Sequence, residues 1–228
     1  MISWGEIYLP AGLTNVTAMA AEWEANWVLK SDGTVFGWEG PPITHQYHQL
    51  STPENLSNVV AIAVGPGGNG TRGIALKKDG TVGIWGTETI HRDATPPAGL
   101  SNVVAIAAGY NHSLALTKDG AVTGWGFNDV GQATGVPSFV TNGLVRINGQ
   151  ILSDVISIAA GHDYSMALKR DGTIVTWGRM VNDFYPATVP AGLSNVVAIA
   201  AGDNFCLAIT TNSTVADKFR LLNLTRQP

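Results

Sequence analysis

The sequence predicts an all-β protein, a β-propeller of about five blades built from five copies of one repeat. Three observations carry this prediction. A short apolar phrase recurs along the chain, an Asp-Gly pair follows most copies of it, and a Trp-Gly pair ends most copies. The fullest copy runs from Leu100 to Gly109 and continues to Asp119-Gly120 and Trp125-Gly126. Short strands at a period of about 40 to 50 residues are typical of arrays in which each sheet buries its faces against its neighbours.

The copies of the phrase set the domain organisation. They begin at Leu13, Leu56, Leu100, Leu152 and Leu193, at spacings of 43, 44, 52 and 41 residues. We therefore expect residues 1–228 to form a single domain, with repeats beginning near residues 10, 53, 97, 152 and 190. The long third spacing comes from an insertion at residues 138–151, which we expect to form an extra hairpin.

Each copy contains a strand of small residues and a hairpin turn. Val103–Ala108 is apolar and mostly small, which predicts a fully buried strand where the ring narrows. An Asp-Gly pair between apolar runs predicts a hairpin turn, because glycine accepts a positive φ angle. The four pairs start at Asp32, Asp79, Asp119 and Asp171. We interpret these aspartates as turn residues, not as paired catalytic acids.

The fifth copy lacks the end of its hairpin. It has Asn212-Ser213 in place of Asp-Gly and no Trp-Gly pair after it, whereas the chain begins with Ile2-Ser3-Trp4-Gly5. The strand at residues 2–5 is therefore a candidate to complete the last blade and leave no long exposed edge. A closed five-bladed ring and a partial propeller completed by another chain both fit the sequence.

The third copy carries the most specific motif. It reads Gly109–Leu116, then Asp119-Gly120, then Trp125–Gln132, and it resembles the RCC1 (regulator of chromosome condensation) repeat. The resemblance is strongest to the bacterial secreted type that includes a β-lactamase inhibitory protein. It implies a propeller fold and, by analogy with that inhibitor, contact with a partner through loops on one face. The family's propellers typically have seven blades, and only Trp125–Gln132 keeps the full tail of the motif here.

Composition excludes several classes of function. The 228 residues carry a formal net charge of -4, only 13% are charged, and Lys and Arg form no run. The sequence therefore lacks the basic patch that nucleic-acid binding requires. It also has no apolar stretch of about 18 residues and no basic, apolar leader at its start, so we expect neither membrane insertion nor a signal peptide.

The sequence leaves the location of the protein open between two compartments. Six Asn-x-Ser/Thr sequons make it a glycoprotein candidate, and a secreted or cell-surface location is the prediction, with an intracellular one still open. The six are Asn15, Asn55, Asn69, Asn111, Asn212 and Asn223. The single cysteine, Cys206, excludes an internal disulfide, and we expect it to be a half-buried structural thiol.

No set of residues predicts catalysis, a metal site or a cofactor. His45 and His48 stand three residues apart without a third ligand, and Gly65–Gly70 lacks the lysine of a phosphate loop and is interpreted as a loop insertion. His112 aligns with Ala25, Tyr164 and Phe205 of other copies, which indicates a packing position. We therefore predict that the protein is not an enzyme.

The best candidate site is the short loop after the small-residue strand. Equivalent loops emerge on one face of a propeller, and here they combine aromatic, acidic and amide side chains, a composition typical of protein-binding hot spots. The residues are Trp23, Glu24, Tyr110, Asn111, His162, Asp163, Asp203 and Asn204. The alternative is that the aromatic rings fold over the central channel as plugs.

These features predict a non-catalytic scaffold that binds a protein partner through its face loops. Two alternatives stay open: a structural subunit of an extracellular assembly joined by strand exchange, and a lectin-like propeller that binds carbohydrate.

Overall fold

The computed structural model describes most of the chain as strands joined by turns. The described residues are 10, 13–22, 25–39, 48–51, 56–67, 70–86, 95–138, 142–179, 188–211 and 220–222. None of these residues lies in a helix, so the described part contains no helix that could cross a membrane. The all-β prediction is confirmed.

The described strands form six sheets, and five of them repeat one antiparallel pattern in which neighbouring strands pair in chain order. Sheet 1 contains β1 (Val16–Glu22), β2 (Ala25–Lys30), β3 (Val35–Glu39) and β4 (His48–Leu50). Sheet 2 contains β5 (Val59–Gly67), β6 (Gly70–Lys77) and β7 (Val82–Gly86). Sheet 3 contains β8 (Val103–Ala108), β9 (His112–Thr117), β10 (Val122–Gly126) and β11 (Asn142–Leu144).

The insertion follows sheet 3 and precedes the last two sheets. It supplies β11 and a separate two-stranded hairpin, β12 (Arg146–Ile147) and β13 (Gln150–Ile151). Sheet 4 contains β14 (Val155–Ala160), β15 (Tyr164–Lys169) and β16 (Ile174–Gly178). Sheet 5 contains β17 (Val196–Ala201), β18 (Cys206–Thr210) and β19 (Arg220–Leu222).

The third strand of sheet 5 is β19, which pairs with β18 through Cys206 and Leu222. The strand at residues 2–5, which is the sequence-based candidate for completing the last blade, lies outside the described residues. Closure by that strand therefore stays a prediction.

The glycine-rich segment of sheet 2 departs from expectation. β5 continues to Gly67 and β6 begins at Gly70, and these two residues pair. The interpretation of Gly65–Gly70 as a loop insertion is wrong, because the extra residues lengthen the two strands of the hairpin.

The Asp-Gly pairs form the predicted turns, at what we call the turn end of each sheet. Gly33 has a φ of 79°, and its amide donates to the Lys30 carbonyl at 2.9 Å. The Asp32 carboxylate accepts from the Thr34 amide at 2.9 Å and from the Thr34 hydroxyl at 2.6 Å. These bonds hold the pKa of Asp32 below its ordinary value. The structural interpretation of the turn aspartates is confirmed.

Each turn also joins its sheet to the next one. The Gly33 carbonyl accepts from the Val59 amide at 3.2 Å, and the same bond recurs from Val103 to Gly80, Val155 to Gly120 and Val196 to Gly172. The residue before each of these valines has a positive φ, as at Asn58 (57°). Asn and Asp tolerate this conformation better than other residues with a side chain, which explains why the repeated phrase reads Ser-Asn-Val or Ser-Asp-Val.

The first strand of each sheet is less buried than the sequence predicts. In β8 only Val103 and Ala107 are buried, and Val104 is 52% exposed. A register shift between Val103 and Ala105 leaves Val104 without a partner in the ladder. The prediction of a fully buried strand is wrong, because β8 is an edge strand with β9 on one side only.

The core lies between successive sheets. Trp27 of sheet 1 meets Trp85 of sheet 2 edge to face, with ring centroids 5.2 Å apart. Leu114 of sheet 3 belongs to one buried cluster with Val155 and Trp177 of sheet 4. Each fully buried apolar side chain of this size contributes about 1.5 to 3 kcal/mol, so this packing is the main stabilising term.

At the opposite end, which we call the loop end, one glycine in each of sheets 2, 3 and 4 approaches the next sheet closely. A Cβ atom on Gly109 would lie 2.5 Å from the Gly161 carbonyl oxygen, and one on Gly161 would lie 2.7 Å from that of Gly202. A Cβ on Gly65 would clash with the Gly109 carbonyl in the same way. A side chain at these positions would force successive sheets apart.

Three buried polar side chains reach across the same junctions. Arg72 donates to the carbonyls of Gly109 at 2.9 Å and His112 at 2.5 Å. The Tyr164 hydroxyl lies 3.0 Å from the Gly202 carbonyl and 2.6 Å from that of Phe205. Arg72, His112 and Tyr164 occupy one register position, opposite the glycine that ends the third strand.

His112 extends this polar layer from sheet 3 to sheet 4. Its Nε2 lies 2.7 Å from the Ser165 hydroxyl, which donates to the Gln132 carbonyl at 2.8 Å. The hydroxyl proton is thus committed to Gln132, so the bonding assigns the imidazole proton to Nε2. Burial, and then the charges of Arg72 and His162, lower the pKa of His112 to about 3. The side chain is therefore neutral at physiological pH.

We expect Gly161→Ala to destabilise the protein by about 1 to 3 kcal/mol, because the new Cβ would clash with the Tyr164 ring and the Gly202 carbonyl. Chemical denaturation measures the loss. Gly83→Ala is the matched control, since its Cβ would meet only flexible side-chain ends of Leu56 and Lys77. Equal effects of the two substitutions would contradict the glycine contact.

We expect acid to destabilise the protein through His112. The unfolded histidine takes up a proton near pH 6.5 and the folded one only near pH 3, so stability falls as the pH drops between these values. Between pH 6.5 and pH 4.5 the free energy of unfolding should fall by roughly 2 to 3 kcal/mol. Urea unfolding of the parent protein and of His112→Gln tests this. An identical pH slope in both proteins would show that another group is responsible.

Candidate functional site

The loop end contains a pocket of about 460 Å³ where β8, β14 and β17 end and beside which β5 passes. Its lining comes from sheets 2 to 5 and consists of Val64 with the segments Ala108–Tyr110, Ala160–His162 and Ala201–Asp203. Each of the three segments is an alanine, a glycine and then a larger side chain. The small residues form the walls, because the glycines allow the sheets to approach closely.

An aromatic pair stands at the rim of the pocket. The rings of Tyr110 and His162 are stacked, with centroids 4.0 Å apart and planes 14° from parallel. The His162 Nδ1 lies 3.3 Å from the Asp163 carboxylate, and these two side chains are 24% and 19% exposed. Asp203 is exposed, and its carboxylate accepts a hydrogen bond from the side-chain amide (Nδ2) of Asn204 at 2.8 Å. The rim thus combines a flat aromatic surface with two carboxylates.

Backbone hydrogen bonds hold these loops in place. The Tyr110 amide donates to the Gly161 carbonyl at 3.2 Å, and the His162 amide donates to the Asp203 carbonyl at 3.2 Å. Each bond joins the loop of one sheet to the loop of the next. Within the loops, the amides of Gly109, Gly161 and Gly202 donate to the carbonyls of His112, Tyr164 and Phe205 at 2.9, 2.9 and 2.8 Å.

The structure brings three of the predicted site residues together. Tyr110, His162 and Asp203 line the pocket, and the residues that follow them, Asn111, Asp163 and Asn204, lie in the same loops. The Asn111 carbonyl accepts from the Phe127 amide at 2.8 Å. Tyr110 and His162 are lining residues of this pocket, and the alternative that their rings act as plugs of a central channel stays open. Trp23 and Glu24 lie outside the described residues.

The sequence did not single out the polar residues beneath the pocket. Arg72 is the clearest case. It pairs opposite the glycine that ends the third strand, as His112 and Tyr164 do, but the extra residues of the sheet 2 hairpin shift it out of line with them when the repeats are aligned by sequence. Ser165 and Gln132 are fully buried and link sheet 4 to the loop after β10. His112 is buried, as its predicted packing role requires, but it also makes a polar link.

The remaining predicted positions are distributed over the surface and the core. Asn15 is exposed just before β1 and Asn111 is half-buried, whereas Asn55, Asn69, Asn212 and Asn223 lie outside the described residues. His45 also lies outside them, and His48 begins β4. Cys206 is fully buried, more deeply than the half-buried position expected, and burial raises the pKa of its thiol, which disfavours the reactive thiolate.

Comparison with known proteins matches part of the chain to a family. Residues 103–132 and 155–184 match the family described as regulator of chromosome condensation (RCC1) repeat. The guanine nucleotide exchange factor SRM1 of Saccharomyces cerevisiae is 38% identical over 99 residues, which cover 41% of this chain and 20% of the yeast protein. The match therefore spans only about one fifth of that relative.

Solved structures share the fold over most of this chain. Yeast RCC1 (Prp20), crystallised with Kap60, has a TM-score of 0.62 and 23% identity over 86% of this chain and 54% of that one. The ectodomain of the Physcomitrella patens receptor kinase CR4 has a TM-score of 0.62 and 21% identity over 87% of this chain and 51% of that one. The chain spans about half the length of these structures.

The sheet pattern, the two matched segments and the structural neighbours agree with one another. Residues 103–132 and 155–184 match the RCC1 repeat, and the described residues share the all-β fold of the solved RCC1 β-propellers.

Proposed function

We propose that this chain is a non-catalytic binding protein that recognises another protein through the loop end of its sheets. The observation that carries the proposal is the stacked pair of Tyr110 and His162 beside the Asp203 carboxylate, at the mouth of a pocket. Aromatic residues at the centre of an interface supply contact area at low cost in conformational entropy. Phe205, which is 43% exposed, adds apolar surface next to Asp203.

The rigidity of the loops supports a binding role. The loops of sheets 3, 4 and 5 are joined to one another by backbone hydrogen bonds, and Arg72 and Tyr164 bind their carbonyls from below. A surface that is already ordered loses little conformational freedom when a partner binds. Binding energy is then available for affinity.

The arrangement of the titratable groups argues against catalysis. The Ser165 hydroxyl and the His112 imidazole lie 2.7 Å apart, as a nucleophile and its base would, but both side chains are fully buried. The Ser165 proton goes to the Gln132 carbonyl, and His112 presents a protonated Nε2 to the hydroxyl. The pair is therefore a structural link between two sheets, inaccessible to a substrate.

The relatives support a protein partner. The relative SRM1 is a guanine nucleotide exchange factor, and the crystal structure of yeast Prp20p is described with its binding to Gsp1p and histones. Prp20p has a TM-score of 0.59 and 24% identity over 86% of this chain and 56% of that one. These likenesses suggest protein classes for binding tests, and the exchange activity itself is not part of the proposal.

We also propose an extracellular or cell-surface location. The six sequons and the exposure of Asn15 support it, as does the fold shared with a receptor ectodomain.

We expect the double variant Tyr110→Ala/His162→Ala to bind a protein partner at least about tenfold more weakly, because it removes the aromatic pair. Partners are captured by cross-linking to the full chain, with purified Gsp1p and histones as first probes, and affinity is measured by interferometry. Val104→Ala/Val197→Ala is the matched control, since both valines are exposed at the turn end. If the control lost binding while the Tyr110→Ala/His162→Ala variant, which we call the loop-end variant, kept it, the partner would not bind at the loop end.

We expect protein from its native source to appear in the medium or at the cell surface and, in a host that glycosylates asparagine, to carry glycan at Asn15. Cell fractionation and intact-mass measurement test this. Asn15→Gln should then remove one glycan mass. Recovery only from the cell lysate, at the unmodified mass, would overturn the proposed location.

A further inference from the structure

The backbone amides that line the pocket are already hydrogen-bonded to other backbone groups. The amides of Gly109, Tyr110, Gly161, His162 and Gly202 all line it, and each already donates to a backbone carbonyl. Sites for phosphate or carboxylate are built from backbone N–H groups that are free to point at the ligand. These five amides therefore offer nothing to an anion. The carbonyls of Gly109, Gly161 and Gly202 also accept hydrogen bonds, but a carbonyl oxygen has two lone pairs and can accept a second bond from a ligand.

The acidic side chains at and next to the pocket also favour a ligand that is positively charged. Asp203 lines it, Asp163 lies against the ring of His162, and none of the lining residues is a lysine or an arginine. The nearby cation is Arg72, which is only 5% exposed and binds the carbonyls of Gly109 and His112 in the layer below. The exposed Asp203 carboxylate is therefore accessible to a cation from outside.

The shape of the rim favours a planar cation. The Tyr110 and His162 rings form one flat stack, and the His162 backbone is bonded to that of Asp203. A guanidinium group stacks on an aromatic face and donates two hydrogen bonds to a carboxylate at the same time. An ammonium group has no plane that can stack on the rings and no fork that can donate two parallel hydrogen bonds to one carboxylate, so it matches the rim less well.

The size of the pocket suits a single long side chain. Its volume of about 460 Å³ lies within the range of small-ligand sites, and its walls include Ala108, Ala160 and Ala201. These methyl groups match the aliphatic stem of an arginine, whose charged head would remain at the polar rim.

We infer that the pocket receives an arginine side chain of the protein partner, with its guanidinium on the Tyr110–His162 stack and against the Asp203 carboxylate. The biological meaning of this inference rests on the proposed function. The pocket chemistry is testable without the partner.

The test is a titration of the full ¹⁵N-labelled chain with N-acetyl-arginine methylamide, followed by the amide shifts of Gly109, Gly161 and Gly202. We expect saturable shifts. N-acetyl-citrulline methylamide has nearly the same shape without the charge, and we expect it to bind about tenfold more weakly or not at all, because charge-assisted hydrogen bonds are roughly twice as strong as neutral ones.

A pair of charge variants locates the contact. Asp203→Asn should weaken binding of the arginine probe by about two- to fivefold, which lies within the range for an exposed ion pair. Asp171→Asn removes the same charge from an exposed turn at the other end of the sheets and should leave binding unchanged. Equal binding of the citrulline probe, or equal effects of the two variants, would overturn the inference.

Two further probes cover the other ligand classes. Inorganic phosphate or a methyl glycoside that shifts these amides while the arginine probe does not would also overturn the inference. If protein binding depends on Tyr110 and His162 but the arginine probe has no effect, the proposed function stands and this inference fails. If the arginine probe binds as expected but the loop-end variant keeps its affinity for the partner, the proposed function fails instead.

Discussion

The close approach of one glycine to the next at the loop end is the constraint on which the rest of this structure depends. Gly65, Gly109 and Gly161 each lie where any side chain would strike the backbone of the following sheet. The approach brings Tyr110 and His162, which follow two of these glycines, within stacking distance. It also leaves a pocket whose walls are alanine and backbone. One steric requirement thus sets both the spacing of the sheets and the composition of the site.

Hydrogen bonds at both ends of the sheets fix their register. At the turn end, the glycine carbonyl of each Asp-Gly turn accepts from the first residue of the next sheet, and at the loop end Arg72 and Tyr164 satisfy carbonyls of the next sheet. A buried polar group costs free energy unless it is paired, so each of these side chains tolerates only the arrangement that pairs it. Apolar packing supplies most of the stability, and these bonds make the sheet arrangement specific.

The polar residues of the protein divide into two layers with different roles. His112 and Ser165 are fully buried and bonded to each other, so they join sheets and have no access to a substrate. Tyr110, His162 and Asp203 lie one layer outward, on loops whose amides are already bonded, and they present aromatic faces and carboxylate oxygens. This division is the physical basis for a binding role without catalysis.

The sequence alone determined the features that depend on a few neighbouring residues. The Asp-Gly turns and the five repeated groups of strands could be predicted because turn geometry and strand alternation are local properties. The positions of the two loops that carry Tyr110 and His162 followed from the repeat. Only the tertiary structure decided that these rings stack, that Arg72 reaches carbonyls 37 and 40 residues away, and that Val104 is exposed. Those outcomes depend on how closely successive sheets approach, and that distance is set by contacts between residues of different repeats, which no single repeat encodes.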